Sequence, residues 1–278
     1  MAAIKRNLPE GAFHHASVNA FLASPERTVS GVHTIMSNGH PVDVKFENRG
    51  YDDTLVSFHA AMSPAKFTLP VFTGVSISEH LPVNRLFLCD PSLYISANLS
   101  LAWFAGSSRQ PTLQKDITDI IRGLGSETGR TICFGASGGG FASLYYASRL
   151  PRALAVPVNP QTSLAKYNQI IVERYLKLAW QGEALDGIPI THDLIDAYAV
   201  GGDTSVRYIQ NTGDSSHMSN HFEPFMEALP AGHHVEPVLV DVGDGHVPPP
   251  KAQLKALLTE SATEFLAHGP TGSVHTTR

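Results

Sequence analysis

The chain has 278 residues, 42% hydrophobic and 16% charged, which suffices for the core of one α/β domain with or without an insertion. Its formal net charge is −5 and its Lys and Arg residues are scattered, which argues against a nucleic-acid-binding surface. No apolar run reaches the ~18 residues of a membrane span, and the amino terminus lacks the apolar stretch of a secretory signal, so we expect a cytoplasmic protein.

The amino-terminal third predicts an irregular arm followed by strands. The apolar residues among the first 30 show no clear helical or strand periodicity. The dipeptide Asn38-Gly39 is typical of a tight hairpin between two antiparallel strands. Strands are predicted here at residues 31–36, 42–47, 54–58 and 84–90, with a short one at 70–73. Cys89 and Cys133 both lie in apolar strand-like runs, so we expect buried free thiols rather than a disulfide or a metal pair.

The rest of the chain alternates strands with helices. A loop over 103–110 and a polar, frayed tail over 269–278 are predicted around this region. Helical spacing marks residues 113–124, the stretch from Phe141, and residues 164–181, 191–198 and 250–268. Strands are predicted at 131–134, 153–158, 206–211 and 235–240. This alternation predicts a mostly parallel sheet with helices on both faces.

The alternation breaks between residues 159 and 203, where two helical segments follow each other without a strand. We interpret residues 159–203 as a small helical cap insertion within a single domain of residues 1–278. The alternative is an ordinary, long crossover helix, since a crossover needs only about a dozen residues.

The most informative motif is Gly135-Ala136-Ser137-Gly138-Gly139, between a predicted strand and a predicted helix. A Gly-x-Ser-x-Gly in that context is a nucleophile elbow, in which a sharp turn exposes the serine hydroxyl beside the positive end of a helix. The glycines two residues away are needed because a Cβ there would collide with a neighbouring strand or helix. A tight turn with an incidental serine is the alternative, but no P-loop or dinucleotide motif is present.

A serine nucleophile needs a base and an orienting acid, which should follow it in the order Ser, acid, His. Asp214 lies just after the predicted strand 206–211, and Gly213 would let the chain turn there. His246 lies between the last strand and the last helix. Asp193, Asp196, His217, His221, His233 and His234 are weaker candidates by position. Asp214 could also simply cap the turn at Ser215 or Ser216, and His246 could be a surface-loop histidine.

An oxyanion hole needs two backbone donors aimed at one point. The N–H of Gly138, directly after the serine, is the first candidate. The second should come from the loop after strand 54–58, where Ala60 is the better choice and Ala61 lies close behind. The 14 histidines invite a metal hypothesis, but the adjacent pairs and the missing His-Glu-x-x-His and Cys-x-x-Cys motifs argue against one.

The elbow, the later Gly213-Asp214 and the Gly245-His246 before the last helix resemble the α/β-hydrolase superfamily over residues 30–268. Asp90-Pro91, residues 101–106 and residues 159–162 are similar to a bacterial branch found beside glycosyltransferases and accessory secretion factors. Typical lipases carry a His-Gly-Gly-Gly oxyanion loop, and here His59-Ala60 stands in its place.

The resemblance implies acyl transfer through an acyl-serine, with Ser137, His246 and Asp214 as nucleophile, base and orienting acid and with no cofactor. We therefore expect a serine esterase acting on a small or carbohydrate-linked ester. The alternatives are an acyltransferase to a sugar acceptor, or a non-catalytic scaffold that binds a glycosyltransferase or secretion partner. His59, Trp103 and Tyr167 are the candidate substrate contacts, although core packing explains such aromatic residues equally well.

Overall fold

The structure, a computed structural model, describes residues 4–199 and 202–268. Its centre is one sheet with strand order β1-β2-β3-β5-β4-β6-β7-β8-β9. The strands are β1 Phe13–His15, β2 Gly31–Ser37, β3 His40–Glu47, β4 Thr54–Phe58, β5 Asn84–Leu88, β6 Thr131–Ala136, β7 Ala153–Val158, β8 Ser205–Asn211 and β9 Val235–Val240. Only β3 runs antiparallel to its neighbours β2 and β5, so the predicted mostly parallel sheet is confirmed.

Helices cover both faces of this sheet. They are α1 Val18–Ala23, α2 Val75–Ser78, α3 Leu113–Leu124, α4 Gly138–Ala147, α5 Gln169–Ala179, α6 Ile195–Ala199, α7 Ser215–His217, α8 Glu223–Glu227 and α9 Lys251–His268, with a π-helical turn at Met218–Phe222. Single-turn 3₁₀ segments occur at Pro25–Thr28, Pro91–Tyr94, Leu164–Lys166 and Leu185–Gly187. In the described part of the chain, no helix has both the length and the apolar composition to cross a bilayer.

The alternation of side chains along the central strands divides the core in two. On β6, Cys133 points into the larger cluster with α3 and α4, while Ile132 and Phe134 point into the cluster that α9 covers. Since β4, β6 and β7 are buried over most of their length, they are the continuous apolar runs that a parallel, helix-covered sheet requires. Both cysteines are free and buried, as predicted.

The amino-terminal arm is the main error of the sequence analysis. Instead of irregular chain, residues 13–28 form β1, α1 and a 3₁₀ turn. Phe13 stacks on His33 of the neighbouring strand β2, and Phe21 is fully buried. These elements are three to six residues long, too short for a period to show in the sequence.

Three further predictions needed correction. Residues 70–73 form no strand, and the short helix α2 follows them instead. The predicted helix 164–181 is broken, because the Asn168 side chain accepts the N–H groups of Ile170 and Ile171 and so begins α5 anew. The predicted helix 191–198 shrinks to α6 for a similar reason, since Asp193 accepts the N–H of Ile195. The predicted frayed tail 269–278 lies outside the described residues.

The helical character predicted for 159–203 is present as α5, α6 and two 3₁₀ turns between β7 and β8. The ring of Tyr175 on α5 packs edge-on against Trp103, and its hydroxyl donates to the carbonyl of Gly106. This segment therefore lies against loop 101–106, next to the elbow.

Candidate active site

Ser137 occupies the turn between β6 and α4. Its backbone has φ 54° and ψ −118°, a region that a residue with a Cβ seldom adopts and that marks stored strain. Helix α4 begins directly at Gly138, three residues before the predicted start, although three successive glycines are poor helix formers. Buried packing of this turn against its neighbours therefore overrides local propensity.

The elbow glycines are required by close backbone contacts. A Cβ at Gly135 would lie 2.2 Å from the carbonyl oxygen of Gly139, and one at Gly139 would lie 2.5 Å from that of Phe58. Any side chain at these positions would push β4, β6 and α4 apart. The predicted reason for the two glycines, collision of a Cβ with a neighbouring element, agrees with this geometry.

The structure brings Ser137, Asp214 and His246 together. Ser137 Oγ lies 3.0 Å from His246 Nε2, and His246 Nδ1 lies 2.6 Å from Asp214 Oδ2. The imidazole proton on Nδ1 donates to the carboxylate, so Nε2 is free to receive the serine proton. Burial alone raises the pKa of Asp214, but the hydrogen bonds from His246 and from the backbone N–H of His217 lower it below its usual value overall.

Asp214 makes both a capping contact and a contact with His246, although the capped N–H is that of His217 rather than of Ser215 or Ser216. Its Oδ1 accepts the N–H of His217 and begins α7, while its Oδ2 accepts from His246. Gly213 lies in a turn, as predicted, and it also makes a close contact that the sequence did not indicate. Its backbone is not left-handed, but a Cβ there would lie 2.2 Å from the carbonyl oxygen of Gly243. Gly213 thus allows the acid loop and the base loop to touch.

Two asparagines that the sequence analysis did not single out join these loops. The side-chain amide of Asn211, at the end of β8, donates to the carbonyls of Gly243 and Gly245 at 2.8 and 3.0 Å. Asn159, at the end of β7, donates to the carbonyl of Val247 and accepts the N–H of Asn211. The loop that carries His246 is therefore held by the ends of two neighbouring strands. The sequence signal that could have identified both asparagines is their place at the carboxyl ends of predicted strands.

The proposed oxyanion donors lie at the expected elements. Gly138 opens α4, and a Cβ on it would lie 2.2 Å from a methyl carbon of Leu101 and 3.4 Å from Trp103. Ala60 follows β4, and a Cβ on Gly139 would lie 2.7 Å from the His59 carbonyl just before Ala60. The loop that carries Ala60 thus packs closely on the start of α4, and the role of both N–H groups in binding an oxyanion stays a prediction.

The three predicted substrate contacts differ in exposure. The His59 ring is buried, and burial lowers its pKa to about 4. Its Nδ1 donates to the Ala60 carbonyl and its Nε2 accepts the N–H of Asp90, so both ring nitrogens are hydrogen-bonded to the backbone. Trp103 is also buried, with φ 54°, whereas Tyr167 is half-buried. Of the three, Tyr167 alone lines the cavity beside His246.

That cavity has a volume of about 440 Å³ and lies beside Asp214 and His246. Its lining residues, most of which carry polar side chains, are Lys166, Tyr167, Asn168, Asp214, Ser215, Ser216, His217, Asn220, Gly245 and His246. An ester of modest size fits such a volume, since ligand cavities commonly span about 300–1,000 Å³.

A second histidine shares Asp214 with His246. The ring of His217 stacks on that of His246, with centroids 4.0 Å apart and planes inclined by 16°. Its Nδ1 lies 3.0 Å from Asp214 Oδ2, though outside hydrogen-bond alignment. Burial lowers the pKa of His217 to about 4, more than the nearby Asp214 carboxylate can restore. The sequence analysis set His217 aside because it follows Asp214 so closely.

Three atoms of this group, one each from Asp214, His217 and His246, lie within 4.8 Å of one another and could in principle share a cation. However, Asp214 and His246 already bond each other, and His246 Nε2 faces the serine. The arrangement matches proton transfer to and from Ser137 better than metal binding.

Solved structures of other proteins share this fold, whereas no family model and no curated protein matches the chain. The capsule O-acetyltransferase of Neisseria meningitidis serogroup A is 16% identical over 81% of this chain and 95% of its own, with a TM-score of 0.57. A further structure of that enzyme is a complex with CoA. Acetyl xylan esterase 1 from a Thermoanaerobacterium species is 13% identical over 81% of this chain and 80% of its own, with a TM-score of 0.52.

A glycosylation-associated protein complex from Streptococcus agalactiae is also similar, at 14% identity over 83% of this chain and 45% of that chain, with a TM-score of 0.53. At such identities the likeness establishes the fold and nothing finer. The protein has the α/β-hydrolase fold that the resemblance of its elbow motif implied.

Proposed function

We propose that the protein is a serine hydrolase that cleaves a carboxylic ester through an acyl-serine intermediate. The observation that carries this proposal is the continuous contact from Asp214 through His246 to Ser137. Three residues far apart in the chain meet in the order and geometry of a nucleophile, a base and an orienting acid. We also propose a cytoplasmic location, in keeping with two cysteines that are both free.

In the proposed mechanism, Ser137 Oγ attacks the ester carbonyl as its proton passes to His246 Nε2. The C=O electron pair moves onto the oxygen, which the N–H groups of Gly138 and Ala60 would receive. His246 then protonates the leaving alcohol, and an acyl-serine remains. Water attacks this ester with His246 again as base, and Oγ leaves as it regains its proton. Asp214 holds the imidazole tautomer and stabilises its charge throughout.

A fluorophosphonate probe tests this proposal, because it phosphonylates an activated serine irrespective of the natural substrate. We expect one label per chain by intact mass, and none in Ser137→Ala. Ser143→Ala is the matched control, since Ser143 is a fully buried serine on α4 whose hydroxyl bonds only the carbonyl of Gly140. Labelling that persists in Ser137→Ala would remove this serine as the nucleophile. An unlabelled wild type would favour the non-catalytic scaffold.

Activity on p-nitrophenyl esters of increasing acyl length determines which acyl group the protein prefers. We expect acetyl to butyryl esters to be the best substrates, because Leu101 and Trp103 press against Gly138 and leave little room beside the proposed oxyanion site. The preference should appear in kcat/KM. A clear preference for long chains would contradict a small acyl group.

Acyl transfer is the second candidate, and a separate cavity favours it. A groove of about 710 Å³ lies between the outer face of α5 and the loops at residues 63–66 and 97–100. Lys66, Arg174 and Lys177 line it, and none of them pairs with a carboxylate in residues 4–199 or 202–268. Glu173 is the one acidic group in this lining. Such a groove suits a phosphate-bearing acyl donor, and the similar O-acetyltransferase has been solved with CoA.

Acetyl-CoA is the donor to test, with a sugar as the attacking alcohol in place of water. Replacing Lys66, Arg174 and Lys177 together by Gln should raise the KM for acetyl-CoA about tenfold, since exposed charge contacts are individually worth up to about 1 kcal/mol. The rate with p-nitrophenyl acetate should not change. Lys115→Gln is the control, because Lys115 lies on α3 and pairs with Asp119. An unchanged KM in the triple variant would exclude this groove as a donor site.

A further inference from the structure

Gln161 is a buried residue beside the nucleophile with every hydrogen-bonding group of its amide in use. It is fully buried, just after the end of β7. Its Oε1 accepts the indole N–H of Trp103 at 3.1 Å. Its Nε2 lies 2.9 Å from Ser137 Oγ and 3.0 Å from His217 Nε2. Because an indole N–H can only donate, Trp103 determines which end of the amide faces the serine.

The same logic determines the proton positions of the neighbours. Nε2 of His217 receives an amide hydrogen, so the proton of this imidazole lies on Nδ1, which faces Asp214. Burial keeps the pKa of His217 at about 4, so the ring stays neutral near pH 7 and can keep accepting. Ser137 Oγ receives the other amide hydrogen and therefore directs its own proton to His246 Nε2.

We propose that Gln161 is a further catalytic residue, whose side-chain N–H stabilises negative charge on Ser137 Oγ, and that His217 is the residue that positions it. This inference rests on the proposed serine chemistry. During acylation the proton leaves Oγ for His246 while the new Oγ–carbon bond forms. During deacylation that bond breaks, and its electron pair returns to Oγ as the proton comes back from His246. The amide N–H faces Oγ in both steps, and it does not compete with the donors proposed for the carbonyl oxygen.

Two variants of Gln161 test the catalytic role. Gln161→Met removes the donor and keeps the volume. Gln161→Glu keeps an acceptor for Trp103 but turns a carboxylate towards Oγ, where it competes with His246 for the serine proton. We expect the second-order rate of fluorophosphonate labelling to fall about 10- to 100-fold in both, the range of a hydrogen bond to a charged group. Ester hydrolysis should lose kcat by a similar factor with little change in KM.

Gln110→Met is the matched control, since Gln110 is a buried glutamine whose amide bonds the carbonyls of Ser37 and His40 away from the elbow. It should label at the wild-type rate. If Gln161→Met fails to fold, as judged by thermal unfolding, Gln161→Glu still decides the question because the indole keeps its partner. A folded variant of Gln161 that labels within twofold of wild type would overturn the proposal. An unlabelled wild type would instead remove the serine mechanism itself, so the two failures are distinguishable.

A double-mutant cycle tests the positioning role. His217→Phe keeps a ring against His246 but removes the acceptor for Gln161. We expect it to lower kcat by less than Gln161→Met does and to leave KM unchanged. Because His217 acts through Gln161, adding His217→Phe to Gln161→Met should cost nothing further. Losses that multiply in the double variant would show that His217 acts on its own, and would overturn the assignment.

Discussion

The two imidazoles that flank Asp214 have the same chemistry but different surroundings. Both side chains line the cavity, but that of His246 is 37% exposed, whereas that of His217 is 5% exposed and has Gln161 and Tyr167 around it. Both turn Nδ1 towards Asp214 Oδ2, but only His246 has its Nε2 on the serine oxygen. Contact with Ser137 Oγ, rather than contact with Asp214, is therefore what distinguishes His246, the proposed base, from His217, the proposed positioning residue.

The buried side of the site, where His217 and Gln161 lie, also contains residues with strained backbone conformations. Trp103, Phe104, Ser137 and Asn159 all have positive φ although none is glycine. The carboxylate of Asp90 accepts the N–H of Phe104 at 2.7 Å and that of Ser92 at 3.0 Å, which fixes the loop carrying Trp103. Strained residues persist only where the surroundings over-determine them. A buried side held by hydrogen bonds to backbone thus supports the side that borders the open cavity.

The largest expected effect separates the two histidines. His246→Phe should lower fluorophosphonate labelling at least about 10³-fold, since it removes the proposed base, whose Nε2 lies 3.0 Å from Oγ. The same change at His217 should cost at most about 100-fold, because it removes a hydrogen bond rather than the base. Labelling rates of the two purified variants, side by side, check this. Equal losses of labelling rate in the two variants would contradict the assignment of His246 as the base and of His217 as a positioning residue.

Gly213→Ala breaks the contact between the acid loop and the base loop. The new Cβ would meet the carbonyl of Gly243 at 2.2 Å, so backbone must shift and His246 must move relative to Asp214. We expect kcat/KM to fall about 10- to 100-fold, since ångström-scale misplacement can cost about that much. Gly187→Ala is the control, because its Cβ would meet only a side-chain oxygen at 3.9 Å. Wild-type activity in Gly213→Ala would show that this close approach is dispensable.

These contacts also explain how far the sequence could predict the site. The elbow is local in the chain, so its motif and its flanking elements appear together in the sequence. Asp214 and His246 could be placed because each follows a strand and because their order is constrained. Gln161 and His217 could not, since the contact of Gln161 with Ser137 spans 24 residues, its contact with His217 spans 56, and both depend on how side chains pack. Likewise, the turn at Gly213 could be predicted, but its close contact with Gly243 could not, since Gly243 lies in a different loop.

The buried histidines predict a loss of stability in acid. Burial lowers the pKa of His217 to about 4 and that of His221 to about 3, whereas in the unfolded chain both lie near 6.5. The unfolded state therefore binds more protons below pH 6.5, and stability falls as pH drops from about 6.5 towards 4. His217→Phe should reduce this loss by up to roughly 3 kcal/mol. Urea unfolding at pH 7.0 and 4.5 measures it.

Tyr167→Phe is the control for that experiment, since it touches the His217 ring without removing an imidazole. It should lose as much stability between the two pH values as wild type. An undiminished loss in His217→Phe would place the acid sensitivity elsewhere, for example at His59, whose pKa burial also lowers to about 4.

The smallest expected effect concerns the support of the strained loop. Asp90→Asn keeps one acceptor for the N–H groups of Ser92 and Phe104 and loses the other, which costs about 1–3 kcal/mol if the N–H stays unpaired. Burial raises the pKa of Asp90 to about 6, so the wild-type charge is itself unfavourable at pH 7, and removing it offsets part of that cost. We therefore expect a stability change of only about 1 kcal/mol, with kcat a few-fold lower because Trp103 then holds Gln161 less firmly. Asp119→Asn, on the outer face of α3, is the control and should change neither quantity. A loss of activity in Asp90→Asn as large as that in His217→Phe would mean that the loop carrying Trp103, rather than His217, is the main support of Ser137.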